Sequence, residues 1–136
     1  MPILDVMEER QPSEATIRGG ILAESLNPGT GFDGHGMRVI RCSRYEVSGA
    51  ADYQPVIWTL IEFEAPASSS DALAGELADS LRSPGWYANW NSDSEATVVF
   101  PGKIFHYPRG DQSGRAIAQA HGRSVGVPEA QLDWTD

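Results

Sequence analysis

The sequence predicts a single α+β domain, a mostly antiparallel sheet of five or six strands with two helices on one face. Short runs of β-branched and aromatic residues, separated by turn-forming residues, indicate the strands. Two stretches with apolar residues at helical spacing indicate the helices. A length of 136 residues suits one domain. Residues 1–14 mix Pro, Glu and Gln and predict a flexible lead-in, which leaves residues 15–136 as the domain. The predicted order is β-β-β-α-β-β-β-α, and short connections between consecutive strands favour antiparallel pairing.

The first predicted strand lies within residues 17–26. Gly19 and Gly20 interrupt its apolar pattern, and we interpret them as a bulge or an entry turn. Residues 27–36 contain four glycines and predict a flexible hairpin loop leading into the next strand.

The second and third predicted strands differ in apolar character. Residues 37–47 form a long strand with one partly hydrated side, in which Cys42 is expected to be a buried, unreactive thiol. Residues 56–64 form the most apolar strand of the chain, which places it centrally in the sheet. We expect five of its residues to belong to the core, namely Val56, Ile57, Trp58, Leu60 and Ile61.

The first predicted helix follows a change to small and polar residues at 65–70. Ser70 is a good N-cap residue, and Leu73, Leu77 and Leu81 recur every four residues as one apolar stripe. Pro84 and the glycine after it end the helix.

The second predicted helix runs from an Asp111 N-cap to about Val125, with Gly126 as its C′ residue. Its apolar face is expected to comprise Ile117, Ala120, His121 and Val125, and the opposite face to comprise Arg115, Gln119 and Arg123.

Between the helices, residues 86–107 hold the densest cluster of aromatic residues in the chain. Turn-forming residues at 91–94 and at Pro101 with Gly102 divide this segment into three pieces of strand length. The segment therefore predicts an antiparallel meander.

The same meander supplies the candidate binding residues, which are Trp86, Tyr87, Trp90, His106, Tyr107 and Arg109. On a strand, Trp86 and Trp90 share one face, so their rings could flank a groove for a planar or apolar ligand. Arg109 would then anchor an anion, and His106 would be the general acid or base. The alternative is structural: the tryptophans form core, Arg109 pairs with Asp111, and His106 fills space.

Two further patterns resemble functional motifs. Residues 29–34 satisfy G-x-G-x-x-G, but a strand follows them where a phosphate-binding loop requires a helix N-terminus, so we expect no nucleotide there. Glu62 and Glu64 share one face of the third strand, about 6.6 Å apart, which suits acid–base chemistry or marks where the strand leaves the core.

No catalytic or metal-binding signature is present. His35, His106 and His121 are too scattered for a metal pair, and a single cysteine excludes a multi-cysteine zinc site. We expect His35 to be solvated and His121 to be a hydrogen-bonded core residue. The sequence predicts no cofactor and no metal.

The charge of the chain constrains its partners. A formal net charge of −9 argues against nucleic acid, whose binding requires basic residues, and is compatible with a basic protein partner. No apolar stretch has the roughly 20 residues needed to cross a membrane. No secretory signal is recognisable, so we expect a cytoplasmic protein.

Two classes of function fit these observations. The first is a small acidic binding protein, such as an inhibitor or immunity-type partner of a basic protein. The second is a small-molecule-binding domain or enzyme with a pocket between sheet and helices near His106 and Arg109.

Overall fold

The computed structural model of the protein describes residues 15–136, so the lead-in predicted for residues 1–14 lies outside the described residues. All six strands form one sheet in the order β2-β3-β1-β4-β5-β6, and every neighbouring pair is antiparallel. The predicted α+β class and element order are confirmed. The elements are β1 (Thr16–Leu22), β2 (Arg38–Glu46), β3 (Ile57–Pro66), α1 (Ser70–Ser80), β4 (Ala88–Asn91), β5 (Glu95–Phe100), β6 (Lys103–Pro108) and α2 (Gln112–Ser124).

Strand β1 lies between β3 and β4, and its glycines make this position possible. A Cβ atom on Gly19 would lie 2.1 Å from the carbonyl oxygen of Asn89 and 2.5 Å from Cβ of Trp90. The register of β1 with β3 is continuous from Thr16 to Leu22. The predicted bulge or entry turn at Gly19 and Gly20 is therefore wrong, because these glycines serve close packing of a neighbouring strand.

The glycine-rich loop does not form a hairpin, since β3 separates β1 from β2 in the sheet. The loop instead connects β1 to β2 on the far side of β3, and it is hydrogen-bonded to helix α1. Glu76 accepts a hydrogen bond from the Asp33 backbone N–H at 3.0 Å and contacts Nε2 of His35. These two interactions lower the pKa of Glu76. His35, expected to be solvated, is one of the residues that hold the loop on the helix.

The two helices pack on opposite faces of the sheet, which corrects the prediction that both cover one face. Adjacent residues of β5 show the division, because side chains alternate along a strand. Val99 belongs to the cluster with Leu73 and Leu77 of α1, whereas Val98 belongs to the cluster with Ala118 of α2. We call these the α1 face and the α2 face.

Helix α1 buries the predicted leucine stripe. Leu73 and Leu77 are fully buried with Phe63 and Trp90. The N-cap is Ser69, one residue earlier than expected. Ser70 is the first helical residue, and its Oγ accepts a hydrogen bond from Nε1 of Trp90 at 2.8 Å.

Helix α2 begins as predicted, since the Asp111 carboxylate accepts a hydrogen bond from the Ser113 N–H at 3.1 Å. Its buried face differs from the prediction, because Ile117 is 62% exposed while Ala118 and Gly122 are buried. A Cβ atom on Gly122 would lie 2.7 Å from Leu132 and 3.2 Å from Phe100. The helix thus approaches large side chains through its smallest residues.

The core contribution of β3 is smaller than predicted. Trp58 is buried, but Val56 and Ile57 are 53% and 39% exposed, and Leu60 and Ile61 are partly exposed. The cluster beneath α1 includes Phe63 and Ala65 from the other end of β3, and the first residues of the strand lie outside it.

Residues 88–108 form the predicted antiparallel meander, with both turns where the sequence places them. The turn residue Gly102 has a positive φ of 72°, the backbone conformation that favours glycine.

Candidate functional site

An open groove of about 960 Å³ lies on the α2 face of the sheet. Strands β3, β1 and β4 form its floor, and residues 130–135, which follow α2, form one wall. Helix α2 covers only the β5–β6 side of this face, so the floor of the groove remains open. The floor side chains come from alternate positions of the three strands: Arg18, Leu22, Leu60, Glu62, Asn89 and Asn91.

One end of the groove is aromatic. The ring centroids of Trp58 and Trp86 are 5.3 Å apart, and those of Trp58 and Tyr45 are 6.5 Å apart. Nε1 of Trp58 donates a hydrogen bond to the carbonyl of Pro55 at 2.8 Å. Trp58 and Trp86 are themselves largely buried, so most of the accessible aromatic surface at this end comes from Tyr45 and the partly exposed Tyr87.

Tyr87 completes the aromatic end. Its hydroxyl donates a hydrogen bond to the carbonyl of Gln131, which ties β4 to the wall. Burial raises the pKa of Tyr87 well above its ordinary value, and the nearby Asp133 carboxylate adds to the shift. The phenol is therefore neutral at every physiological pH and acts as a structural donor.

The other end of the groove is charged. On β3, Glu64 accepts a hydrogen bond from Arg38 of the edge strand β2, and Glu62 lies 4.0 Å from Arg41 of the same strand. The two glutamates considered for acid–base chemistry therefore face the groove, each with an arginine beside it. Arg18 of β1 has no hydrogen bond or ion pair within residues 15–136.

Two asparagines of β4 lie on the other side of Arg18. The Asn91 amide donates a hydrogen bond to the carbonyl of Thr135 at 2.8 Å, while its Oδ1 is buried with no partner among the described residues. The Asn89 side chain, beside Gly20, makes no hydrogen bond within residues 15–136. This side of the floor thus has unused hydrogen-bonding capacity.

The wall is held rigidly. Nε1 of the buried Trp134 donates a hydrogen bond to the Tyr107 hydroxyl at 2.7 Å, and Arg115 lies over the Trp134 ring at 5.1 Å from its centroid. Arg115 also donates a hydrogen bond to Asp136 at 2.9 Å. These contacts fix the wall against helix α2 and strand β6.

Three of the six residues singled out from the sequence line the groove: Trp86, Tyr87 and Arg109. Arg109 lies at the charged end, where its guanidinium donates to the carbonyls of Ser92 and Asp93 at 3.1 and 3.4 Å. It therefore holds the β4–β5 turn and does not pair with Asp111.

The other three lie elsewhere. Trp90 is fully buried on the α1 face, and Tyr107 is buried beneath α2. His106 points to the α1 face, where Nδ1 lies 3.0 Å from Oγ1 of Thr97 and Nε2 lies 3.8 Å from Asp71. The meander therefore divides its aromatic residues between both faces and does not gather them into one site.

Sequence reasoning missed Arg18, Tyr45 and Asn89. A usable signal for Arg18 was the alternation in residues 16–22, where Ile17 and Ile21 face one way and Arg18 and Leu22 the other. No local pattern could indicate that β4 would lie beside β1.

Two other expected core residues have different surroundings. Cys42 is exposed on the edge strand β2, contrary to the prediction of a buried thiol. His121 packs against Phe100 and Phe105, and its Nε2 is buried with no partner among the described residues, so the expected hydrogen bond is missing. Within residues 15–136, no group of three or more His, Cys, Asp and Glu side chains is arranged to hold a metal ion.

Comparisons of the chain with protein-family models, with curated proteins and with solved structures gave no match. Neither helix in the described part of the chain has the length and apolar character needed to cross a lipid bilayer.

Proposed function

We propose that this protein is a non-catalytic binding module and that its ligand occupies the groove on the α2 face. The observation that carries the proposal is the pairing of an aromatic end with a charged end in one groove of about 960 Å³. Sites for small molecules are typically concave, roughly 300–1,000 Å³ in volume, and mostly apolar with a few placed polar groups. The groove has a volume within this range, and its lining is about equally polar and apolar.

The chemistry of the lining supports binding over catalysis. No histidine or cysteine is among the groove residues. The two carboxylates on the floor of the groove, Glu62 and Glu64, each lie beside an arginine of β2, Arg41 and Arg38. The groove therefore lacks, among the described residues, the histidine that most often transfers protons in enzymes.

A small molecule suits the groove better than a basic protein does, because arginines already stand beside the glutamates on its floor. A net charge of −9 still supports a basic protein as a second candidate, bound at another surface. A cytoplasmic setting, expected from the sequence, belongs to the same proposal.

Filling the groove tests the proposal. Asn89→Trp would place a large ring on the floor, and Ile117→Trp, on the exposed side of α2, is the matched control for added aromatic surface. The neutral dye Nile red, whose fluorescence rises in apolar surroundings, is the probe. We expect saturable binding by the wild type and the control, and at least tenfold weaker binding by Asn89→Trp, with unchanged far-UV circular dichroism.

Equal binding by all three proteins, or no saturable binding by the wild type, would contradict the proposal. A polylysine peptide titrated in parallel addresses the second candidate. Tight binding of this peptide, unaffected by Asn89→Trp, would favour a basic partner at another surface.

A further inference from the structure

We infer that the ligand of the groove is an amphipathic organic carboxylate, whose charged end binds Arg18 and whose apolar part occupies the aromatic end. This inference rests on the proposed function and adds the chemical class of the ligand and the residue that selects it.

Arg18 differs from the other arginines in its lack of partners. Eight arginines lie within residues 15–136. Six have hydrogen-bond partners: Arg38, Arg41, Arg82, Arg109, Arg115 and Arg123. The remaining two are Arg18 and Arg44. Arg44 is on β2, where it acts on the Glu24 carboxylate, and it is not a groove residue. Among the described residues, Arg18 is thus the one unpaired guanidinium in the groove.

Arg18 supplies a positive charge to a floor that also carries two glutamates. Its neighbours on β3 are Glu62 and Glu64, which lie beside Arg41 and Arg38 of β2. Three arginines, Arg18, Arg38 and Arg41, stand beside these two glutamates, and the rest of the lining adds Arg109 with Asp93 and Asp133, so the positive charge at Arg18 is local. The planar guanidinium can donate two parallel hydrogen bonds to a carboxylate, a geometry well suited to this pair.

Asn89 supplies a further donor for the same carboxylate. It belongs to β4 and pairs with Gly20, two residues from Arg18 along β1. Its amide makes no hydrogen bond within residues 15–136, so its N–H groups are available to a ligand. Gly20 carries no side chain, and Leu60 covers it, with Cδ1 2.9 Å from where a Cβ atom on Gly20 would lie.

The aromatic end lies at the other end of the same strand. Leu22, four residues after Arg18 on β1, lies opposite Leu60 on β3. Because the strands are antiparallel, Trp58, two residues before Leu60, lies beyond this pair on the same face. At about 3.3 Å per residue, Arg18 and Leu22 are separated by roughly 13 Å. A ligand on the order of 10 Å long, with a carboxylate at one end and an aryl or alkyl group at the other, would reach both.

Three compounds that differ only in the end group test the inference. These are 5-phenylpentanoate, its neutral amide, and 5-phenylpentylamine, each titrated calorimetrically into the full protein. We expect the wild type to bind the carboxylate about tenfold or more tightly than the amide, in line with charge-assisted hydrogen bonds. Binding of the amine should be weakest, and added salt should weaken the carboxylate more than the amide.

Substitution of Arg18 distinguishes its direct contact with the carboxylate from a general electrostatic attraction between the ligand and the protein. Arg18→Gln should abolish the preference for the carboxylate without changing Nile red binding, whereas Arg44→Gln, which removes a charge outside the groove, should retain it. The inference is overturned if all three compounds bind the wild type alike, if none binds, or if Arg18→Gln keeps the preference. If the wild type showed no saturable binding of Nile red, the proposed function itself would be overturned instead.

Discussion

Gly19 shows how one missing side chain allows the sheet to close around its central strand. The carbonyl of Asn89 and the Cβ atom of Trp90 both stand where a Cβ atom on Gly19 would lie. These neighbours belong to the backbone and to a fully buried tryptophan, so neither can move aside easily.

We therefore predict that Gly19→Ala lowers the free energy of unfolding by at least about 2 kcal/mol, since overpacking a tight site forces the backbone to shift. Gly75→Ala is the matched control, because nothing lies within 4 Å of the added carbon and the residue is inside helix α1. It should stabilise the protein by about 0.5–1 kcal/mol, as alanine is the better helix former. Chemical denaturation measures both, and an equal effect of the two changes would contradict the close packing at Gly19.

Single residues were predictable where their role is local. The Asp111 cap and the glycine at position 102 depend on backbone geometry within a few positions, and both are as expected. Gly19 could not be interpreted correctly, because the atoms that require a glycine come from residues 70 positions later.

Helix α2 carries a histidine, His121, whose ring packs against two aromatic side chains. The His121 ring lies 4.9 Å from the Phe100 centroid and 5.3 Å from the Phe105 centroid. Burial lowers the pKa of His121, and the nearby Lys103 charge lowers it further.

This shift gives the stability a pH dependence of known sign. In the unfolded chain His121 takes up a proton near its ordinary pKa of about 6.5, while in the folded protein it resists protonation until lower pH. The unfolded state therefore binds more protons as the pH falls below about 6.5, and stability decreases there. We predict that His121→Phe loses less unfolding free energy than the wild type between pH 7 and pH 5, measured by urea denaturation at both pH values. Identical losses would show that His121 does not carry this dependence.

At the scale of elements, periodicity predicted the existence of both helices but not both buried faces. The leucine stripe of α1 has one plausible direction, because three leucines share it. In α2 the large apolar residue Ile117 faces solvent, while Ala118 and Gly122 face Phe100 and Leu132. Hydrophobicity alone ranks isoleucine above glycine, so it could not show that a close approach to aromatic rings would decide the orientation.

At the scale of the whole molecule, the core of residues 15–136 contains two apolar clusters on opposite faces of one sheet. Strand β5 contributes residues to both clusters. Val99 belongs to one cluster and Val98 to the other, so neither cluster can separate without disturbing the same strand. We expect the domain to unfold as one cooperative unit.

Leu77→Ala tests this cooperativity from the α1 side. Removing a fully buried leucine should cost about 2–5 kcal/mol. Far-UV circular dichroism and tryptophan fluorescence should report the same, lower midpoint of denaturation, because Trp90 and Trp134 are in different clusters. Ile117→Ala, at an exposed position of α2, should cost less than about 0.5 kcal/mol. Two separate transitions in Leu77→Ala would show that the clusters unfold independently.

Strand order and the groove belong to this largest scale and were the least predictable features. The sequence indicates six strands but does not indicate that β1 lies between β3 and β4, because the residues that meet across β1 and β4 are about 70 positions apart. The groove depends on this order, since Arg18 and Asn89 become neighbours only when β1 and β4 are paired. The candidate residues drawn from one meander were close in sequence, whereas the groove gathers residues from positions 16 to 135.

The strand order also has a consequence for the protein as it leaves the ribosome. In the strand register, Arg18 lies opposite Glu64 on β3 and opposite Asn91 on β4. Both edges of β1 can therefore be occupied only after the chain has been synthesised as far as β4. Residues 130–135, which form the wall, are synthesised later still. A nascent chain therefore has an incomplete groove until translation of the described residues is nearly finished. Under the proposed function, a ligand would meet the complete groove only after that point.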